Sequence, residues 1–167
     1  HMAPLSVGSQ TGGSIIRPAS YCGVVGYKPS FGLISRNGVL KTSENLDHVG
    51  VFGKSVEDIA TIAKVLIKKD SYDKATIHYS ADTMLEECKK EPAYEPKFIF
   101  YKTDSWKKID KKSRDAFEYF IKSFGKNIEV FDTPSYFKDI KKYHQIIHEA
   151  DMANNFYNYF KKNKKKL

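Results

Sequence analysis

Nine of the ten glycines in this 167-residue chain lie before residue 54. Glycine removes the Cβ that restricts backbone angles and blocks close approach, so a segment this rich in it turns often and brings main chain near main chain or near a ligand. The densest run is GSQTGGSIIRPASYCG, Gly8 to Gly23, with four glycines and three serines. After Gly53 only Gly125 remains, and the apolar residues fall into helical and strand periods. The chain therefore divides into a turn-rich first part and a periodic second part.

In the first part, Leu5–Val7 and Val49–Phe52 read as short strands. Gly32–Leu40 carries Arg36-Asn37-Gly38, where Asn-Gly supplies the positive φ of a hairpin turn. Ser55 opens a helix: Ser55-Val56-Glu57-Asp58 is a capping box with Asp in the Glu position. Ile59, Ile62, Ala63, Leu66 and Ile67 follow at helical spacing, with Lys68 and Lys69 at the negative end of the dipole.

Residues 70–96 are polar and read as a linker holding a short helix at Ala81–Lys90, bracketed by Pro92 and Pro96. KFIFY, Lys97–Tyr101, reads as a buried strand. Asp110–Phe124 is an amphipathic helix with Ala116, Phe117, Phe120, Ile121 and Phe124 on one face, and Gly125 is its stop. Ile128–Phe131 is the next strand, and a long helix runs from about Ser135 to the end. The predicted fold class is α/β, with segments 1–69, 70–96 and 97–167. The chain enters a dense motif almost at once and ends inside a helical pattern without a stop, so both ends read as cut. The first two residues, His-Met, fit a cloning remnant or native sequence equally.

Hydrophobic residues make up 41% of the chain, which argues against disorder. No apolar run approaches the roughly 18–20 residues of a membrane span. HMAPLSVGS has neither the basic n-region nor the apolar stretch of a signal peptide. Cys22 and Cys88 make no disulfide or zinc framework, which points to a reducing, cytoplasmic compartment. The net charge of +8 comes with five lysines in the last seven residues, KKNKKKL. Nucleic-acid binding would call for arginines or interleaved aromatics on one face. Here lysine replaces arginine almost everywhere, so nucleic acid is not the expected partner.

Three chemistries compete for Gly8–Ser14. A phosphate cradle would need Gly-Lys-Ser/Thr or G-x-G-x-x-G, and neither is present. A plain structural turn is the common fate of Gly-Gly-Ser. An oxyanion hole beside a nucleophile is the third: consecutive N–H groups of Thr11, Gly12, Gly13 and Ser14 could converge near the Ser14 oxygen, each donor worth about 3–4 kcal/mol in acyl transfer. A serine hydroxyl is a weak nucleophile and would need a base.

The wider context bears on this choice. GSQTGGSIIRPASYCGVVGYKPSFGLISRNGV followed by NLDHVGVFGKSVEDIA resembles the amidase signature family, whose members read G-[ST]-[DQ]-T-G-G-S-x-x-x-P-A-x-x-C-G-x-x-G-x-K-P-[ST]-x-G and then S-L-D-x-x-G-x-x-x-[RK]-S-V-x-D. The likeness covers residues 4–63 almost without gaps. The second half looks like the middle of such amidases, with weaker motifs. The resemblance implies part of the amidase-signature fold, a mixed β-sheet core flanked by helices. It implies that Ser14 is the acyl-enzyme nucleophile and that Thr11, Gly12, Gly13 and the Ser14 N–H form the oxyanion hole. Ser9, Gln10, Arg17 and Asp47 are implied supports, Asp47 as a backbone-bonding brace.

The family completes a Ser–cisSer–Lys triad with a lysine and a serine upstream of this motif. No such segment lies within these 167 residues, so the chain alone is expected to be inactive. The implied reaction is hydrolysis of a small carboxamide, with no metal or organic cofactor and no membrane. A homodimer of the full-length protein is a candidate assembly. Two alternatives stand beside it. One is the A subunit of a tRNA-dependent amidotransferase, although Gln10 and Ile16-Arg17 look more like a stand-alone branch, since those subunits more often have Asp at 10 and Arg at 16. The other is a non-catalytic α/β structural or interaction segment.

The remaining candidates have plainer readings. Lys28 of Gly-Tyr-Lys-Pro suits an ion pair or a backbone hydrogen bond better than a base. Ser20 has no family role. Cys22 is expected in the core, as the resemblance implies, and His48 on the surface. His144 and His148 sit four apart on one helix face as zinc ligands can, but HQIIH lacks the His-Glu-x-x-His pattern and a third ligand, so both are expected as solvated helix residues. Trp106 and the many Tyr and Phe residues are expected in the core, and the terminal lysines on a solvated helix face.

Overall fold

The computed structural model describes residues 3–164, so His1, Met2, Lys165, Lys166 and Leu167 lie outside the described residues. The chain forms two compact units. One holds residues up to Lys90 and again from Tyr143 onward, and the other holds Glu91–Lys142.

The first unit is built on a three-stranded antiparallel sheet of β1 (Ser6–Gln10), β2 (Val25–Tyr27) and β3 (His48–Gly53), with β3 in the centre. The β1–β3 register runs from Ser6 opposite Phe52 to Gln10 opposite His48. β2 sets Val25 against Gly53 and Tyr27 against Val51. Between β1 and β2 lies α1 (Ile16–Cys22), a seven-residue helix that stays hidden among the glycines in the sequence. Pro18 is tolerated because it falls in the first turn, where an N–H has no intrahelical partner. Ile15, at the N-cap, is fully buried against the sheet, as is Val51. Gly50 makes this contact possible, since a Cβ there would collide with the Tyr27 carbonyl and Ile15 Cδ1.

α2 (Val56–Leu66) starts where the capping box predicts. Ser55 Oγ accepts from Asp58 N, and Asp58 Oδ2 accepts from Ser55 N, both at 3.1 Å. Its buried residues Ile59, Ala60 and Ala63 face the sheet. Ile34, Val49, Ala63, Ile67 and Ala81 form the core. Each fully buried Ile or Val is worth about 1.5–3 kcal/mol.

The turn at Arg36-Asn37-Gly38 forms, with Val39 N donating to Arg36 O at 3.0 Å and Gly38 at φ +80°. No hairpin flanks it, because the Arg36 N–H is taken by Asp73 Oδ2 at 2.9 Å. Asp73 belongs to the polar stretch after α2, which packs closely: Asp73, Thr76 and Ala81 are all buried. The predicted helix at Ala81–Lys90 shrinks to α3 (Met84–Glu87).

The second unit is a parallel strand–helix–strand piece: β4 (Phe98–Lys102), α4 (Lys111–Ser123) and β5 (Ile128–Asp132). Phe98 pairs with Ile128 and Lys102 with Asp132. α4 is capped by Asp110, whose Oδ1 accepts from Ser113 N at 3.0 Å, and Gly125 follows it in the left-handed region at φ +53°. One sheet face meets α4 and its C-cap through Phe100–Phe117 and Phe98–Phe124 contacts, and the 3-10 turn at Asp104–Lys107 through Phe100–Trp106. The strand predicted as buried is half-open: Ile99 is 59% and Tyr101 48% exposed, because one helix covers only one face of a two-stranded sheet.

A last helix, α5 (Ile140–Asn163), follows a short 3-10 turn at Ser135–Phe137. Its Lys161 and Lys162, and Lys164 beyond it, are exposed. Among the described residues no helix is long and apolar enough to cross a membrane.

Candidate functional site

The loop Thr11–Ile15 joins β1 to α1, and Gln10 is the residue that shapes it. Its Oε1 accepts from Ile15 N at 2.9 Å and Ile16 N at 3.2 Å. That satisfies two of the orphan N–H groups at the start of α1. Among the described residues, the N–H groups of Gly12, Gly13 and Ser14 donate to no other group. Gly13 sits at φ +126°, a conformation that L side chains rarely adopt. Its carbonyl accepts from Arg17 N at 3.0 Å. Ser14 is exposed at the end of this row of unpaired donors.

Thr11 is anchored through Asp47. The Thr11 hydroxyl donates to Asp47 Oδ1 at 2.5 Å, and the Thr42 hydroxyl donates to the same oxygen at 2.9 Å. Asp47 Oδ2 accepts from Thr42 N at 2.8 Å and Ser43 N at 2.9 Å. Asp47 is 6% exposed. Burial alone would raise its pKa, but hydrogen bonds from Thr11, Ser43 and Thr42 outweigh that and hold the carboxyl below its usual 3.8. A carboxylate bonded this way is a fixed brace for the 11–14 loop.

Beside the brace lies a buried ion pair. Arg36 Nε donates to Asp73 Oδ2 and Nη2 to Oδ1, both at 3.0 Å, while Nη1 donates to the Glu44 carbonyl at 2.7 Å. The side-chain bond from Arg36 holds the Asp73 carboxyl far below the usual range. This pair fastens the 36–44 segment, which leads into Asp47.

The other candidates are placed as follows. Ser9 contributes main-chain pairing opposite Val49, and its side chain is exposed. Arg17 is exposed and makes no ion pair among the described residues. Lys28 Nζ donates to the Pro29 carbonyl at 2.9 Å, the backbone bond expected of it. Cys22, expected in the core, is exposed. It ends α1 beside an open cavity of about 370 Å³ lined by Leu5, Pro18, Val24 and Phe52. His48, expected on the surface, is half-buried. Its Nδ1 lies 2.7 Å from the Leu46 carbonyl, its ring stands edge-on to Phe31, and burial lowers its pKa. Among the described residues no group of three or more His, Cys, Asp or Glu could hold a metal.

The sequence reading missed two residues of α5. His144, expected in solvent, has its Nε2 3.1 Å from the Thr11 carbonyl. Asp151 accepts from Ser43 Oγ at 2.5 Å, from Asn45 N at 3.1 Å and from Asn45 Nδ2. The only sequence signal was their shared helix face, since residues seven apart stack over two turns. Their targets lie more than 100 residues away in the chain.

A profile of the Amidase family matches residues 1–166. The A subunit of glutamyl-tRNA(Gln) amidotransferase from Clostridium novyi is 36% identical over 156 residues, 91% of this chain and 32% of that protein. Its namesake from Mycoplasma genitalium is 54% identical over 72 residues, 43% of this chain and 15% of that protein. The crystal structure of the A subunit of glutamyl-tRNA(Gln) amidotransferase from Thermotoga maritima superposes with a TM-score of 0.79 at 30% identity, covering 92% of this chain and 34% of that one. A peptide amidase bound to the competitive inhibitor chymostatin shares the fold, with a TM-score of 0.77 at 18% identity, covering 98% of this chain and 34% of that one. The chain thus spans at most about a third of the length of these curated relatives.

Proposed function

The chain belongs to the amidase family, and from that premise we propose that it carries the nucleophile and oxyanion hole of an enzyme that cleaves carboxamide C–N bonds. Ser14 Oγ attacks the amide carbon. The carbonyl oxygen becomes an oxyanion facing the Gly12, Gly13 and Ser14 N–H groups, with Thr11 shaping the loop. The C–N bond then breaks, the nitrogen leaves with a proton as ammonia or an amine, and a Ser14 ester remains. Water hydrolyses that ester to the carboxylic acid and frees Ser14. The lysine and second serine that shuttle the proton in such a triad come from segments upstream of the motif.

The observation that carries this reading is the contrast within one loop. Gln10 occupies the N–H groups of Ile15 and Ile16, while those of Gly12, Gly13 and Ser14 stay unpaired beside an exposed hydroxyl. These donors face solvent beside the Ser14 hydroxyl, so an incoming carbonyl oxygen can take them without breaking a hydrogen bond inside the protein. Preorganised donors of this kind are the largest single contribution to acyl-transfer catalysis.

Two settings are open to this chemistry. The names of the relatives favour the A subunit of an amidotransferase, in which the released ammonia passes on to a tRNA-linked acyl group with the help of partner proteins. Gln10 and the Ile16-Arg17 pair favour a stand-alone amidase acting on a small amide. The first test is mass spectrometry after a fluorophosphonate serine probe, on this chain and on the full-length gene product. A label on Ser14 of the full-length product supports the reading. No label there overturns it in favour of a structural segment. Ammonia release from glutamine that rises with added Glu-tRNA(Gln) would select the amidotransferase.

A further inference from the structure

Thr11 is gripped at both ends. Its hydroxyl donates to Asp47, and its carbonyl lies 3.1 Å from His144 Nε2. A carbonyl only accepts, so the imidazole donates, with its proton on Nε2. The same ring edge lies against the next residue: a Cβ built at Gly12 would stand 3.2 Å from His144 Cε1 and 3.6 Å from Nε2. The Thr11 carbonyl and the Gly12 N–H are opposite ends of one planar trans peptide. Fixing the direction of one fixes the other.

His144 is itself held in place. Asp151, two turns further along the same face of α5, takes four hydrogen bonds from Ser43 and Asn45. Asp47 takes the N–H groups of Thr42 and Ser43. Asp47 and Asp151 thus grip the same short segment, one extending to the Thr11 hydroxyl and the other, through α5, to the Thr11 carbonyl.

We propose that His144 is a positioning residue for the oxyanion hole: its Nε2–H holds the Thr11–Gly12 peptide so that the Gly12 N–H points at the developing oxyanion. This role rests on the reading of Ser14 as nucleophile. It predicts that removing the donor slows acylation, because a donor turned away from the oxyanion is lost mainly in the transition state.

The test separates donor from bulk. His144→Phe keeps a ring and removes the donor, and His144→Gln keeps an N–H donor at the end of a flexible chain. The rate at which a fluorophosphonate phosphonylates Ser14, with loss of fluoride, is measured in the full-length gene product as a stand-in for acylation, since its P–O oxygen occupies the same hole, and the Gly12 amide is followed by 15N NMR in this chain. H144F is expected to shift the Gly12 amide and slow phosphonylation by about 10- to 100-fold, and H144Q to recover most of both. A Gly12 amide that does not move in H144F, an unchanged rate, or an H144Q as slow as H144F overturns the positioning role and leaves Ser14 untouched. A wild-type protein unlabelled at Ser14 overturns the nucleophile instead, and the oxyanion assignment with it. Should H144F fail to fold, His144→Leu poses the same question.

Discussion

The two units hold opposite kinds of order. The first, poor in aromatics along its site loop and rich in glycine, contains every fully buried residue described. The second, from Glu91 to Lys142, carries two groups of touching rings, Phe98, Phe120 and Phe124 in one and Phe100, Trp106 and Phe117 in the other, yet none of its residues is fully buried. Apolar content therefore does not make a core. A core needs an element on each side of a layer, and β4–β5 has a helix on one face only. The first unit gains its interior from apolar residues buried between its sheet and helices, drawn close where glycine lets backbones approach and joined by buried polar groups bonded to one another.

Substitutions can break or sharpen that contrast. The largest effect is expected at Ser14: in the full-length gene product Ser14→Ala removes the fluorophosphonate label and lowers amide turnover by about 10³-fold or more, with an unchanged melting curve. A fall in stability on this exposed change would mean that the loop is structural. Next comes Arg36→Met, which leaves Asp73 buried without its partner. Urea titration should show a loss of about 3–5 kcal/mol; a loss under about 1 kcal/mol would show that the first unit does not rest on its polar clamps.

Acid should act on the same clamps. Asp47 and Asp73 are both held below the usual 3.8. Below that value the unfolded chain binds protons that the folded one resists, so their stabilisation is present above about pH 4 and is lost as pH falls through the lowered values. Urea midpoints at about pH 6, 4 and 3 check this, and Asp73→Asn should flatten the fall. Gly13→Ala forces a Cβ into φ +126° with space around it. It should cost about 1–2 kcal/mol by backbone strain alone, read by thermal melting. The smallest effect belongs to the second unit: Tyr101→Ser on the open face should stay within about 0.5 kcal/mol. A larger loss would show that this face is covered in solution.

Much of this was legible in the sequence, because it depends on neighbours in the chain. The α2 capping box, the helix expected at Asp110–Phe124 with Gly125 as stop, the strands expected at Leu5–Val7, Val49–Phe52, Lys97–Tyr101 and Ile128–Phe131, each found within a few residues, and the α/β class follow from local periodicity and turn chemistry. The glycine-rich motif carried the resemblance to the amidase signature family, which the family profile bears out. What only the tertiary structure decided depends on partners far along the chain. Asp73 claims the Arg36 N–H from 37 residues away and leaves the turn without a hairpin. An open cavity beside α1 leaves Cys22 exposed. His144 meets Thr11 across 133 residues. Hydrogen bonds of that span leave no periodic trace, since each needs only one donor and one acceptor brought together by the packing of everything between.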